Sequence, residues 1–223
     1  MKKFELTNEF VTNMFGTKLF RIRALVEFGD VEAGELGGYV EKESNLGHDD
    51  NARVYGNAWV YGDAQVSGDA LVCGDAQISG NAQVFGDAQV FGNTRVFGDA
   101  RVSGNARVSG DAQVFGNAWV YGNAWVYGDA RVSGDARVSG DKDYAYAHGF
   151  GSCNRTTTFF RLKDGDVGVR CGCFYGTLAQ FRDNVCETHG ETKKAQEYLM
   201  LADLMELRFE EDENEVGNRK YVE

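Results

Sequence analysis

Histidine and cysteine side chains are the residues of this chain with the chemistry of general bases, nucleophiles and metal ligands. The histidines are His48, His148 and His189, and the cysteines are Cys73, Cys153, Cys171, Cys173 and Cys186. Two combinations would supply zinc ligands, namely His148 with Cys153, and His189 with the last three cysteines. The chain has no paired CxxC spacing, so we expect free, ordinary buried thiols in a reducing compartment and no metal site.

Arginine and aromatic side chains offer a second kind of chemistry, because a guanidinium beside a ring holds a planar anion by charge and stacking. The predicted ligand-binding residues are Arg95, Arg101, Arg107, Phe97, Phe115, Trp119 and Tyr121. All three tryptophans lie within residues 51–140, a stretch without lysine or glutamate. Such a composition is also typical of protein interfaces, so self-association or cross-strand packing explains the same residues without a ligand.

These side chains occupy fixed places in a six-residue repeat. Glycine stands at every sixth residue from Gly56 to Gly140, in the repeat unit V-x-G-[D/N]-A-x. Only Ile78 replaces the valine of this unit, and only Thr94 replaces its alanine. The alternation A-x-V-x predicts a strand that buries alanine and valine and exposes the two variable residues. Glycine followed by aspartate or asparagine predicts a corner.

Three strands and three corners make a triangular coil of eighteen residues, so the fifteen units in 50–139 form about five regular coils. We therefore predict an all-β solenoid, a parallel β-helix. A flexible linker has no reason to keep valine and alanine in phase. A right-handed helix or β-roll usually has less uniform coils or a GGxGxD calcium repeat, which is absent here.

The repeat distributes the outward residues over three faces. We name as the first face the one that begins with Arg53, as the second face the one that begins with Trp59, and as the third face the one that begins with Gln65. The first face is the least polar, and its predicted oligomer-interface residues are Leu71, Cys73, Phe91, Trp125 and Tyr127. One column of corner residues alternates aspartate with asparagine, which separates the charges and favours corner chemistry over calcium binding; its members are Asp63, Asn81, Asp99, Asn117 and Asp135.

The flanks predict three further units. Residues 1–49 form an N-terminal β cap with a strand at 19–28 and an irregular first coil that starts at Val40 and Leu46, before an offset at 47–50. After the β-helix of 50–141, residues 142–209 form a small ββαα module, with strands at 156–162 and 167–173 and helices that follow Thr177 and span about 192–208. Residues 210–223 form an acidic tail.

Charge and hydropathy exclude several classes of function. The net charge is −11, which disfavours general nucleic-acid binding. No run of eighteen apolar residues occurs, and the start MKKFELTNEF has no signal-peptide pattern, so we expect a cytoplasmic protein without membrane association.

The stretch RIRALVEFGDVEAGELGGYVEKESNL, followed by NARVYGNAWVYG, resembles the opening of YdcK-like hexapeptide-repeat proteins, including proteins of phages and prophages. The resemblance covers about 20–140 and implies the left-handed β-helix of the hexapeptide-repeat superfamily, whose members are commonly homotrimers. Many members are labelled acyltransferases, and such enzymes use a histidine base at a subunit groove. The carbonic-anhydrase branch needs three histidines around zinc, and the coils contain none.

These observations predict a non-enzymatic homotrimeric binding or scaffold protein without a cofactor, and no catalytic residue is assigned. The resemblance adds a setting in a bacterium or its phage, where such a protein would sequester a small anionic metabolite or a nucleotide immune signal of the host as an anti-defence device. Two alternatives stay open at this point: an acyltransferase with an atypical site, and a purely structural assembly protein.

Overall fold

The computed structural model describes residues 2–151 and 154–210. An N-terminal hairpin and a first, irregular coil lead into the regular solenoid, and a sheet with two helices follows it. The predicted tail lies outside the described residues from residue 211 onward.

The first three strands are β1 (Phe4–Thr12), β2 (Lys18–Ala24) and β3 (Leu36–Val40). Fifteen two-residue strands then follow at six-residue intervals: β4 (Arg53–Val54), β5 (Trp59–Val60), β6 (Gln65–Val66), β7 (Leu71–Val72), β8 (Gln77–Ile78), β9 (Gln83–Val84), β10 (Gln89–Val90), β11 (Arg95–Val96), β12 (Arg101–Val102), β13 (Arg107–Val108), β14 (Gln113–Val114), β15 (Trp119–Val120), β16 (Trp125–Val126), β17 (Arg131–Val132) and β18 (Arg137–Val138). The C-terminal module contains β19 (Tyr144–Phe150), β20 (Arg155–Arg161), β21 (Val167–Cys171), β22 (Phe174–Thr177), α1 (Leu178–His189) and α2 (Lys193–Phe209).

Three parallel sheets form the sides of the solenoid, as the repeat predicts. The first face is β4-β7-β10-β13-β16, the second is β3-β5-β8-β11-β14-β17, and the third is β6-β9-β12-β15-β18. Each strand pairs with the strand eighteen residues later, as Arg95 pairs with Gln113. The alanines and valines of the repeat are buried in one continuous core, so the predicted β-helix fold is confirmed, with about six turns when the first coil is included.

The corners are held in place by backbone geometry that favours glycine. Gly68 has a φ of +72°, and a β-carbon on it would lie 2.8 Å from the backbone nitrogen of Gly86 in the next coil. The following residue, Asp69, donates its backbone N–H to the Gly86 carbonyl at 2.9 Å. At this corner the coils therefore stack too closely for a residue that has a side chain.

Asparagine and aspartate side chains form hydrogen-bonded ladders at the corners. Asn81 donates to the Asp99 carboxylate at 2.9 Å, and Asn93 donates to Asp111 at 2.9 Å. Each neutral amide separates two carboxylates of a column and donates a hydrogen bond to the carboxylate of the next coil. The alternation therefore stabilises the stack, which is the corner chemistry that the sequence predicts.

The N-terminal cap continues the second face with antiparallel strands. The predicted strand at 19–28 is present as β2 but ends at Ala24, and the sequence did not predict β1, which pairs with β2 along the outer edge. Tyr39 pairs with Trp59 at a spacing of twenty residues, so the first coil has two residues more than the regular ones. This extra length falls after Leu46, where the offset at 47–50 was predicted.

The C-terminal module has a four-stranded antiparallel sheet in the order β19-β20-β21-β22. The two predicted strands are β20 and β21, and two strands that the sequence reading missed flank them. Both helices are present, and Thr177 and Thr192 cap them by accepting hydrogen bonds from the backbone of Gln180 and Ala195. The module docks on the last coil, where Leu162 bridges Ala136.

We predict that Gly68→Ala lowers the free energy of unfolding by about 1–3 kcal/mol, because alanine is strained at this φ and collides with the next coil. Gly140→Ala is the matched control, since Gly140 is extended and has open space around its α-carbon. Urea denaturation followed by circular dichroism measures both. Equal stability of the two variants would contradict the corner geometry.

We predict that Asn81→Asp destabilises the solenoid by about 1 kcal/mol, because it removes the amide donor and stacks carboxylates at positions 63, 81 and 99. The loss shrinks as salt is added, since salt screens exposed charges. Asp99→Asn is the control: it leaves an amide pair like that of Asn105 and Asn123, which are hydrogen-bonded at 3.2 Å. A salt-independent loss in Asn81→Asp would rule out charge repulsion.

Candidate binding surfaces

The first face brings the predicted interface residues onto one sheet. Leu71, Cys73 and Phe91 are half-buried, whereas Trp125 and Tyr127 expose 44% and 46% of their surface. Trp125 donates its indole N–H to the Ser109 hydroxyl at 3.1 Å, which fixes its ring against the sheet. The result is a flat surface with a rigid aromatic end and few charges.

Tyr127 ties this face to the C-terminal module. Its ring meets the rings of Tyr144 and Tyr146 edge to face, with centroids 6.3 and 5.7 Å apart. Burial is the largest cause that raises the pKa of Tyr144. The tyrosine cluster therefore fixes the module against the aromatic end of the first face.

The seven predicted ligand-binding residues do not form one cluster in the chain. Arg107 lies on the first face, and the other two arginines lie on the second face (Arg95) and the third face (Arg101). All three arginines are exposed. A small ligand therefore contacts only part of the predicted set within one chain.

Two parts of that set do pack together. Phe97 and Phe115 stack on the second face with ring centroids 4.9 Å apart and planes 2° from parallel. On the third face, the rings of Trp119 and Tyr121 lie 4.8 Å apart, and Trp119 donates to the Ser103 hydroxyl at 2.9 Å. These contacts are ladders between neighbouring coils or within one strand, which stabilise a sheet without any ligand.

His48 is a packing residue in the first coil. Its ring stacks on Phe4 at 4.3 Å, and its Nδ1 lies 3.3 Å from the backbone N–H of Lys3, which donates to it. The buried Lys3 ammonium in turn bonds the carbonyls of Asp50 and Ala52 at 2.7 and 2.9 Å. His48 therefore packs at the junction between β1 and the offset at 47–50.

The other two histidines lie in the C-terminal module. Nδ1 of the exposed His148 is 2.9 Å from the Thr156 hydroxyl and 4.0 Å from the Asp129 carboxylate. A catalytic triad needs the two ring nitrogens to serve different partners, and here one nitrogen faces both. His189 stacks on Tyr198 near the end of α1, with centroids 5.8 Å apart.

The expectation of buried thiols is wrong for two cysteines. Cys173 and Cys186 are exposed, whereas Cys73 and Cys171 are half-buried. Cys173 lies between β21 and β22, and Cys186 is on the outer side of α1, positions that the sequence pattern did not distinguish. Cys153, a possible zinc ligand, lies outside the described residues, and within 2–151 and 154–210 no group of three or more metal-ligating side chains occurs.

A small cavity, open to solvent, lies where the N-terminal cap meets the first coil. Its lining is mainly core, including Phe4, Ile22, Leu46 and Val54, with Arg53 at one side in an ion pair with Asp30. The cavity is thus the imperfectly filled end of the solenoid core.

Four segments of the chain match the family model described as YdcK beta solenoid repeat, at residues 50–63, 76–92, 100–114 and 112–128. The matched segments of the coils are similar to YdcK beta solenoid repeats. The match confirms the resemblance for the repeats, and all four segments lie within the regular coils rather than in the flanking units. A search of curated proteins found no match. In the part of the chain that the structure describes, neither α1 nor α2 has the length and apolar character needed to span a bilayer.

We predict that Cys173 and Cys186 react with iodoacetamide at pH 8 at least about tenfold faster than Cys73. They are exposed, whereas burial raises the pKa of the Cys73 thiol and lowers its thiolate fraction. Peptide mass spectrometry after timed alkylation measures each rate, and labelling in denaturant provides the reference. Early labelling of Cys73 would show that the first face opens.

Proposed function

We propose that this YdcK-type solenoid protein is a non-enzymatic scaffold that assembles as a homotrimer through its first face. The observation that carries the proposal is the placement of Leu71, Cys73, Phe91, Trp125 and Tyr127 on one flat sheet. Hydrogen bonding and ring contacts hold the large side chains in place, so association costs little side-chain entropy. Leu71, Cys73 and Phe91 form one apolar patch and Trp125 with Tyr127 a second, separated by the coil of Arg107, and apolar patches that are rigid before binding favour a stable contact.

The non-catalytic part of the proposal rests on the surroundings of the histidines. His48 packs on Phe4, and His148 contacts the Thr156 hydroxyl, so local contacts account for both histidines without the acyltransferase alternative. The repeats themselves supply flat arrays of side chains, which suit assembly better than they suit enclosure of a reacting group. A role in sequestering a nucleotide signal remains a prediction from the outward arginines and rings, and a phage setting remains a prediction from the resemblance.

We predict that Phe91→Arg shifts the protein from trimer to monomer, because it places an unpaired charge in the centre of the proposed interface, at a cost of at least about 2 kcal/mol. Phe85→Arg is the matched control: Phe85 holds the same place in its hexad, is equally half-buried, and lies on the third face. Light scattering coupled to gel filtration gives the mass, expected at three times the 24.6 kDa chain.

A monomeric unmodified chain, at concentrations up to about 100 µM, where micromolar affinities are saturated, would overturn the assembly proposal. Dissociation by Phe85→Arg but not by Phe91→Arg would move the interface to the third face. Acetyl transfer from acetyl-CoA that is lost on His48→Ala or His148→Ala, with the fold intact, would instead support the enzyme alternative.

A further inference from the structure

Two arginines from different parts of the fold meet over one aromatic ring. Arg131 belongs to β17 on the second face, and Arg170 belongs to β21 of the C-terminal sheet. Their guanidinium carbons lie 5.9 and 5.4 Å from the centroid of the Phe115 ring. Phe115 also stacks on Phe97, so the second face ends in a column of two rings and two cations.

Neither guanidinium has an acidic partner among the described residues. Other arginines of the same structure do have one, as Arg21 has Glu9 and Arg182 has Glu206. The Nε atoms of Arg131 and Arg170 are both buried without a hydrogen-bond partner. The contact of both guanidiniums with Phe115 leaves these buried Nε donors without an acceptor atom.

A third unused donor lies beside them. Ser133 is the next outward residue after Arg131, is only 2% exposed, and its hydroxyl has no hydrogen-bond partner. The adjacent Gly134 packs against the Tyr175 hydroxyl so closely that a β-carbon on it would collide with that oxygen. Tyr175 also lies under Arg170, with 6.0 Å between the guanidinium carbon and the ring centroid.

Two like charges close together and partly withdrawn from water destabilise the folded protein unless an anion joins them. The cost is visible in the structure, since burial and then the charge of Arg170 lower the pKa of Arg131. Arginine forks match the oxygens of phosphate and carboxylate groups, and a buried hydroxyl adds a neutral donor. The arrangement therefore has the chemistry of an oxyanion-binding site.

We propose that Arg131 and Arg170, together with the Ser133 hydroxyl, bind the phosphate or carboxylate group of a small molecule at the junction between the solenoid and the C-terminal module. The proposal goes beyond the assembly role and does not depend on it. It differs from the predicted set of Arg95, Arg101 and Arg107, which are exposed on three separate faces. The site requires both units, because each supplies one arginine.

Calorimetric titration of the full chain with inorganic phosphate, and separately with citrate, tests the proposal. We expect binding of at least one of the two, and a loss of affinity of at least about tenfold in Arg131→Gln and in Arg170→Gln, in line with the loss of one charged hydrogen bond. Arg137→Gln is the matched control, since Arg137 occupies the same hexad position in the next strand and donates to the Asn117 and Ala136 carbonyls. It should bind like the unmodified chain.

Thermal unfolding with and without the anion separates binding from a structural role. A bound anion raises the melting temperature of the unmodified chain and of Arg137→Gln, but not of Arg131→Gln or Arg170→Gln. Arg170→Lys, which keeps the charge and loses the fork, should bind with intermediate affinity.

Absence of binding to both anions at millimolar concentration overturns the proposal, as does binding that Arg131→Gln and Arg170→Gln leave unchanged. If both variants only lower the melting temperature and leave anion affinity intact, the arginines serve docking of the module alone. These results are independent of the mass measurement, so a trimer that binds no anion leaves the assembly proposal standing.

Discussion

The close stacking of backbone at the corners is the constraint on which the rest of the molecule depends. At most corners a glycine lies against the glycine of the next coil, where a β-carbon would come within about 3 Å of its backbone, and the following residue often donates its N–H to that next glycine, as Asn57 does to Gly74 at 2.9 Å. Deletion of one residue from a repeat would shift every later strand out of register, and a one-residue shift would turn valine outward. The repeat must therefore be kept without error along the whole solenoid.

This constraint also decides where chemistry is possible. Valine, glycine, the corner residue and alanine are committed to the fold in each hexad, which leaves two outward positions free. Because strands stack about 4.8 Å apart, these positions form flat ladders such as Phe97 on Phe115. Flat ladders suit association with another surface. A site with convergent donors requires a residue from outside the repeat, and Arg170 of the C-terminal module is such a residue.

The regular coils could be predicted from the sequence because their contacts follow from the repeat itself. The three faces, the alternating Asn81 and Asp99 and the burial of every repeat valine need only the six-residue spacing. Strands β1, β19 and β22 were missed although each pairs with its neighbour in the chain, because none of them has a sustained alternation of apolar and polar residues. The exposure of Cys173 and Cys186 depends on how the module packs, and the seven predicted ligand residues separate because successive hexads face different directions.

At the C-terminal end of the solenoid, docking of the module both covers the last coil and brings together the arginines of the proposed anion site. The last coil exposes backbone donors and acceptors that would otherwise invite edge-to-edge pairing with another chain. The module satisfies them: Arg131 donates its backbone N–H to the Thr158 hydroxyl at 2.9 Å, and Lys163 donates to the Asp135 carbonyl at 3.2 Å. The same docking brings β21 alongside the second face and so places Arg170 over Phe115. A module that only shielded the edge would need no second cation beside Arg131. Among the described residues neither Arg131 nor Arg170 has an acidic partner, and the structural role of the module leaves this pair of cations unexplained.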